Sequence, residues 1–206
     1  MWVLRTIHGG DCHTGVKLPL TLLLLLPLAL AAAPPPEFLQ AARKQLGVTV
    51  QYDPTYTVVS YPGGDVPIER GVCTDVVIRA MRGIGIDLQR EVHEDMKRNF
   101  SAYPQMWGLR GPDANIDHRR VPNLMRFFER RGKKLPVRDD PAAYRPGDFV
   151  TCLVPPNLPH IMIVSDHSST TEPTRPLVIH NIGAGAREED RLFEFKLTGH
   201  YRWWPE

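Results

Sequence analysis

The sequence has little cysteine, little net charge and few long apolar runs, and each shortage excludes something. Of its three cysteines, Cys12 sits in the N-terminal segment, which leaves Cys73 and Cys152 for the body of the chain. Two half-cystines make no disulfide framework, so a packed core must hold the fold. The 25 basic and 23 acidic residues nearly cancel and are mixed along the chain, so nothing points to a nucleic-acid partner. There is no internal repeat, no His-Glu-x-x-His zinc motif, and no pattern among the four tryptophans that suits sugar binding. Hydrophobic content of 42% is ordinary for a globular domain, while 20 prolines argue for a loop-rich fold rather than a helical bundle.

The one long apolar run is at the N-terminus. Arg5 and Lys17 precede residues 18–30, which are mostly leucine, and three alanines follow. A basic start, a short apolar run and a small-residue end read as a secretory signal. Ala29 and Ala31 place cleavage after Ala31, since a cut after Ala33 would abut Pro34. Pro19 and Pro27 interrupt the run, which is short for a membrane span. The expected organisation is therefore a signal over 1–31, a proline-rich linker over 32–37 and one domain over 38–206. The protein is expected to be exported, periplasmic or secreted, and to touch a membrane only if that segment stays uncleaved.

Downstream, helical signals come first. Residues 37–45 form an amphipathic helix stopped by Gly47, and residues 48–65, with Tyr52, Tyr56 and Tyr61, suit short strands and turns. Helices are expected from Cys73 to about Gly83, from Asp87 to about Phe100, and over Val121–Arg131. Arg119 and Arg120 precede the last of these as solvated charges that, beside a cleft, would suit a substrate carboxylate. From residue 140 the pattern turns to strands: 149–154, 160–165, 177–181, 192–196 and 200–204. Helices followed by an antiparallel strand set make an α+β domain.

The chemistry centres on Cys73. Thr74 and Asp75 favour a helix start there, and a helix N-terminus lowers a thiol pKa toward neutrality. A cysteine nucleophile needs an imidazole base and a third group to hold that ring. His160, opening one apolar strand, suits the base, and His180, closing another, suits the third group, with Asn181 and Asp166 as alternatives. Strand alternation lets only one of His180 and Asn181 face His160. Rival readings are a buried core cysteine, a Cys73–Cys152 disulfide, a zinc site of Cys73, His160 and His180, and a wall-binding module with an idle thiol. His93, His118, His167 and His200 read as surface or structural, and Asp148 as fixing its turn.

These stretches carry a resemblance. The Cys73 helix start, the Pro146-Gly147-Asp148-Phe149-Val150 strand, the His160-Ile161-Met162-Ile163-Val164 strand and Val178-Ile179-His180 resemble the NlpC-type cell-wall peptidases of the papain-like clan. Closer still is a bacterial family known as domain of unknown function 1287. It is matched by Gly71–Val77, Arg119–Leu124, Pro146–Asp148 and Val178–Gly183, with similarity over about 38–204. The resemblance implies a papain-like fold with the nucleophile helix packed on an antiparallel sheet. It also implies Cys73 as nucleophile, His160 as base, His180 as orienting residue, and peptidoglycan peptide or amide bonds as substrate. Accessory positions would be Asn181, Asp75, and Tyr56 or Tyr61 at the oxyanion, with Arg119 and Arg120 in substrate binding. No cofactor or metal is expected, and the chain is expected to be a monomer. Val72 and Thr74-Asp75 depart from the acidic residue and Ser-Gly that usually flank the NlpC-type cysteine. Extra material around residues 87–135 is placed to roof the cleft. Mass spectrometry of the exported protein should find residues 1–31 missing; a chain retaining Leu22 would contradict the signal reading.

Overall fold

Phe38, Leu39 and Ala42 fall on one side of a short helix, α1 (Pro36–Arg43), and are buried there. The helix begins inside the stretch expected to be linker, because Pro36 suits a first turn where its missing N–H costs nothing. A computed structural model describes residues 1–3 and 33–204. The chain divides into units of residues Met1–Leu30 and Ala31–Glu206, so the signal expected over 1–31 lies, beyond Val3, outside the described residues.

Three further helices follow: α2 (Cys73–Arg82), α3 (Leu88–Asn99) and α4 (Val121–Arg130). Asp87 caps α3 by accepting from the Gln89 N–H at 3.2 Å. Two-residue strands β1 (Gln51–Tyr52) and β2 (Arg70–Gly71) pair in parallel just before α2. The main sheet contains β3 (Lys134–Leu135), β4 (Phe149–Val154), β5 (Leu158–Ser168), β6 (Pro176–Asn181), β7 (Ala186–Glu189) and β8 (Lys196–Tyr201). Its order is β3-β8-β4-β5-β6-β7, antiparallel throughout. The chain is thus a mixed α+β protein with an antiparallel sheet.

Strand alternation sorts the sheet into two apolar layers. Phe149, Ile161, Ile163, Ile179 and Tyr201 pack with the helices, Phe128 stacking on Phe149 with ring centres 4.9 Å apart. Val150, Cys152, Met162, Val164 and Val178 form the other layer with Tyr144 and Leu192. Two expected strands change. Residues 192–196 are mostly turn, with Leu192 buried for packing rather than pairing, and the last strand ends at Tyr201. Trp203 and Trp204 then pack against Phe127 and Phe38. The sequence reading lacked β7, whose Ala-Arg-Glu-Glu has no apolar alternation to announce it. Among the described residues no helix is long and apolar enough to cross a membrane.

Gly83, which follows α2, has ordinary helical backbone (φ −58°). A side chain is excluded there by proximity: a Cβ would lie 2.4 Å from the Cβ of Ala41 on α1. Helix propensity alone would have Gly83→Ala stabilise, whereas overpacking of α1 on α2 should cost about 1–3 kcal/mol. A urea midpoint that rises in Gly83→Ala would refute this close approach.

Candidate active site

Cys73 is the first residue of α2, and Val72, in extended conformation, is its N-cap. Valine offers no side-chain acceptor, so the helix start is held from the inside. Asp75 Oδ2 accepts from the Val72 N–H at 2.7 Å. Both Asp75 oxygens also take the Arg119 guanidinium, from Nε and Nη2 at 2.9 Å each. Thr74 Oγ1 donates to the Arg119 carbonyl at 3.0 Å, and Arg119 donates further to the carbonyls of Asp53 and Thr55. Arg119 is therefore a buried latch between α2, the turn before α4 and the loop after β1. Its guanidinium is held by these partners, and the residue also lines the cleft beside Cys73. Arg120, the other cation expected from sequence to bind substrate, pairs with Asp117, lies 4.1 Å over the Trp107 ring, and lines the cleft.

That cleft is a cavity of about 320 Å³ lined by Cys73, Tyr52, Met106, Trp107, Arg120 and Pro159, among others. Met106, Trp107 and Arg120 come from the extra material around residues 87–135, which does form one wall. Tyr52 and Pro159 also line a smaller cavity of about 130 Å³ that contains His160. Tyr52 was not singled out in the sequence; its register partner Gly71 brings it to the Cys73 helix start. Tyr52 is 42% exposed, and its phenol is pushed up to about 12, first by partial desolvation and then by its acidic neighbours Cys73 and Asp75. Tyr56 and Tyr61 are engaged elsewhere. Tyr56 bonds Asp113 and Asn115, and Tyr61 bonds Glu94 and meets the His93 ring edge-on. No feature of the sequence separates the three tyrosines; only the β1–β2 pairing does.

His160 and His180 are brought together. Nε2 of His160 lies 2.8 Å from Nδ1 of His180, and both residues are buried. Asn181, one residue on, turns the other way: Nδ2 donates to the Gly71 carbonyl at 3.0 Å and buttresses the approach to Cys73. The alternation argument thus resolves in favour of His180. Asp166, the other alternative, is bound by Arg43. Behind His180, its Nε2 lies 3.4 Å from Glu189 Oε2 without a hydrogen bond of good geometry. Glu189 escaped the sequence reading because it sits on the unrecognised β7.

The thiol is buried, and burial pushes it up to about 12. N–H groups of Ile161, Thr74 and Cys73 itself favour the thiolate, but they do not outweigh desolvation, and Asp75 adds to the rise. The helix terminus expected to bring the thiol toward neutrality is present, but burial pushes the other way and outweighs it. Burial, with His180 adding, lowers His160 to about 3. Burial therefore favours the neutral form of both thiol and imidazole. Among the described residues no hydrogen bond joins Cys73 to His160; the sulfur is held by the Ile161 N–H, one residue along β5. Cys152, the register partner of His160, is likewise a free thiol, in the opposite apolar layer. The disulfide alternative is not formed. Among the described residues no three His, Cys, Asp or Glu side chains gather as metal ligands, and His160 Nε2 and His180 Nδ1 are engaged with each other.

The family Domain of unknown function (DUF1287) matches residues 39–203. The chain belongs to the DUF1287 family. An Escherichia coli (strain K12) relative named "Uncharacterized protein YijF" is 56% identical over 162 residues, which is 79% of this chain and 78% of that protein. No solved structure matches. The DUF1287 match spans Cys73, His160, His180 and Glu189.

The histidines give a pH dependence. Burial holds His118 at about 4 and His160 at about 3, and also lowers His180. As pH falls below about 6.5, the unfolded chain binds protons that the folded chain refuses, so stability is lost from there downward. Each such histidine contributes at most about 1.4 kcal/mol per pH unit between pH 6.5 and its folded value. Unfolding free energies should decline from pH 6.5 to 4.5, and His118→Gln should reduce the slope. A flat profile over that window would contradict the buried neutral state.

Proposed function

We propose that the chain is an exported cysteine hydrolase of papain-like, NlpC-type character that cleaves peptide or amide bonds of peptidoglycan. The observation that carries this reading is the 2.8 Å bond between His160 Nε2 and His180 Nδ1, one residue along β5 from the amide that holds the Cys73 sulfur. A ring tethered through Nε2 leaves Nδ1 to act as base, and a second ring behind it is what a base needs to keep its orientation.

Burial favours the neutral thiol and imidazole, so the proton moves during attack. His160 Nδ1 takes the thiol proton as sulfur bonds to the substrate carbonyl carbon. The carbonyl oxygen gathers negative charge, for which the Cys73 N–H and the Tyr52 hydroxyl, lining the same cleft, are the proposed donors. Collapse of the tetrahedral adduct breaks the C–N bond, and His160 returns its proton to the departing amine. Water, deprotonated by His160, then cleaves the thioester and frees the acid and the thiol. The transfer needs Nδ1 within about 3–4 Å of sulfur, a contact that often tightens only when substrate binds. The apolar cleft with Arg120 at its wall suits a short peptide that carries a carboxylate.

A second reading is a wall-binding module with an idle thiol. The burial of Cys73 and its lack of a bond to His160 favour it. Hydrolysis of peptidoglycan fragments separates the two. Cys73→Ala and His160→Ala should each abolish product while leaving the fold intact. Tyr52→Phe should lose about 10- to 100-fold, and Cys152→Ala and Tyr56→Phe should change little. Wild-type binding without turnover, unchanged by Cys73→Ala, would select the binding module.

A further inference from the structure

The bond between His160 and His180 does not by itself say which ring donates, and only one of its two arrangements suits a base. In the first, His160 Nε2–H donates to His180 Nδ1, and His160 Nδ1 carries a lone pair. In the second, His180 Nδ1–H donates to His160 Nε2, and His160 Nδ1 carries a proton and cannot accept one. The choice is settled at the far side of His180. A neutral His180 with its proton on Nδ1 would point an Nε2 lone pair at whatever lies opposite.

What lies opposite is Glu189, whose Oε2 is 3.4 Å from that Nε2. The same oxygen takes Arg191 Nε at 2.9 Å, which fixes the carboxylate in place. The His180 side chain is fully buried, and among the described residues its Nε2 has no hydrogen-bond partner. It faces a cavity of about 490 Å³ that Arg187, Glu189 and Arg191 also line. The groups facing His180 are thus His160 from β5, Arg187 and Glu189 from β7, and Arg191 just beyond it. Of the described charged side chains on the Nε2 side of His180, Glu189 is the acceptor, while Arg187 and Arg191 are donors.

We propose that Glu189, braced by Arg191, is a positioning residue that places the proton of His180 on Nε2 and thereby keeps the lone pair of His160 on Nδ1. The role is tautomeric: a lone pair opposite a carboxylate is repelled, an N–H is attracted, and the preference passes through His180 to His160. Glu189 touches neither substrate nor sulfur. The catalytic meaning of the assignment rests on the hydrolase reading, but the tautomers themselves do not.

The test uses nitrogen-15 NMR of the histidine rings in the full chain at pH 7, beside kinetics on peptidoglycan fragments. The wild type should show His160 and His180 both protonated on Nε2. Glu189→Ala should shift both toward Nδ1–H, cut kcat about 10- to 100-fold with KM changed less than about 3-fold, and move the acid limb of kcat/KM to lower pH. Glu189→Gln, which retains an acceptor oxygen, should recover part of the loss, and Arg191→Ala should reproduce a weaker form of it. These two variants also serve if Glu189→Ala fails to fold. A shift of tautomers in a chain without hydrolytic activity would uphold Glu189 and sink the hydrolase reading. Tautomers unchanged in Glu189→Ala, or in both Glu189→Gln and Arg191→Ala, would overturn the proposal whatever the activity.

Discussion

The Asp75 carboxylate ties two separate stretches of chain, the loop of residues 53–55 and the turn at Arg119, to the start of α2. It caps the Val72 N–H, grips Arg119 with both oxygens, and through Arg119 reaches the carbonyls of Asp53 and Thr55. The contact with Gly71 is so close that a Cβ there would lie 2.9 Å from Asp75 Oδ2. Removing one partner of a buried pair of this kind leaves an uncompensated charge that costs about 3–5 kcal/mol. The position of Cys73, the path of the Tyr52 strand and the wall before α4 all depend on it. An acidic residue so near the Cys73 sulfur also has a cost: its charge opposes the thiolate, and the Arg119 guanidinium offsets that charge.

The same burial that orders the site favours its neutral form. A buried thiol and a buried imidazole each resist ionisation, which disfavours a standing ion pair in the proposed chemistry. That chemistry requires proton transfer in step with attack, and hence a base whose free nitrogen is of known identity. The line from Glu189 through His180 to His160 answers that requirement by orientation rather than by charge on the reacting ring.

Much of this arrangement was legible in the sequence. Cys73 at a helix start, His160 and His180 on neighbouring strands, and the opposed facing of Asn181 followed from spacing and alternation alone. The strand Phe149–Val154 was readable because its residues are apolar on both faces. Two kinds of feature were not legible. Arg119 looked solvated because a charge's partner 44 residues away leaves no local trace. Tyr52 and Glu189 depend on pairing register, in a two-residue parallel pair and in a strand of polar residues, neither of which has a period to detect. The push of burial toward a neutral thiol was missed for a different reason. Helix-terminus reasoning counts N–H donors, whereas the outcome depends on how much water the finished fold leaves around the sulfur.

The most direct test of the proposed chemistry is to look for the thioester. Peptidoglycan stem peptides mixed with the full chain, quenched in acid within a single turnover and read by intact-mass and peptide-mapping spectrometry, should give an acyl adduct on Cys73. The adduct should be removed by hydroxylamine and be absent in Cys73→Ala. Peptide cleaved while Cys73 stays unmodified throughout the turnover, or bound with neither cleavage nor adduct, would contradict it.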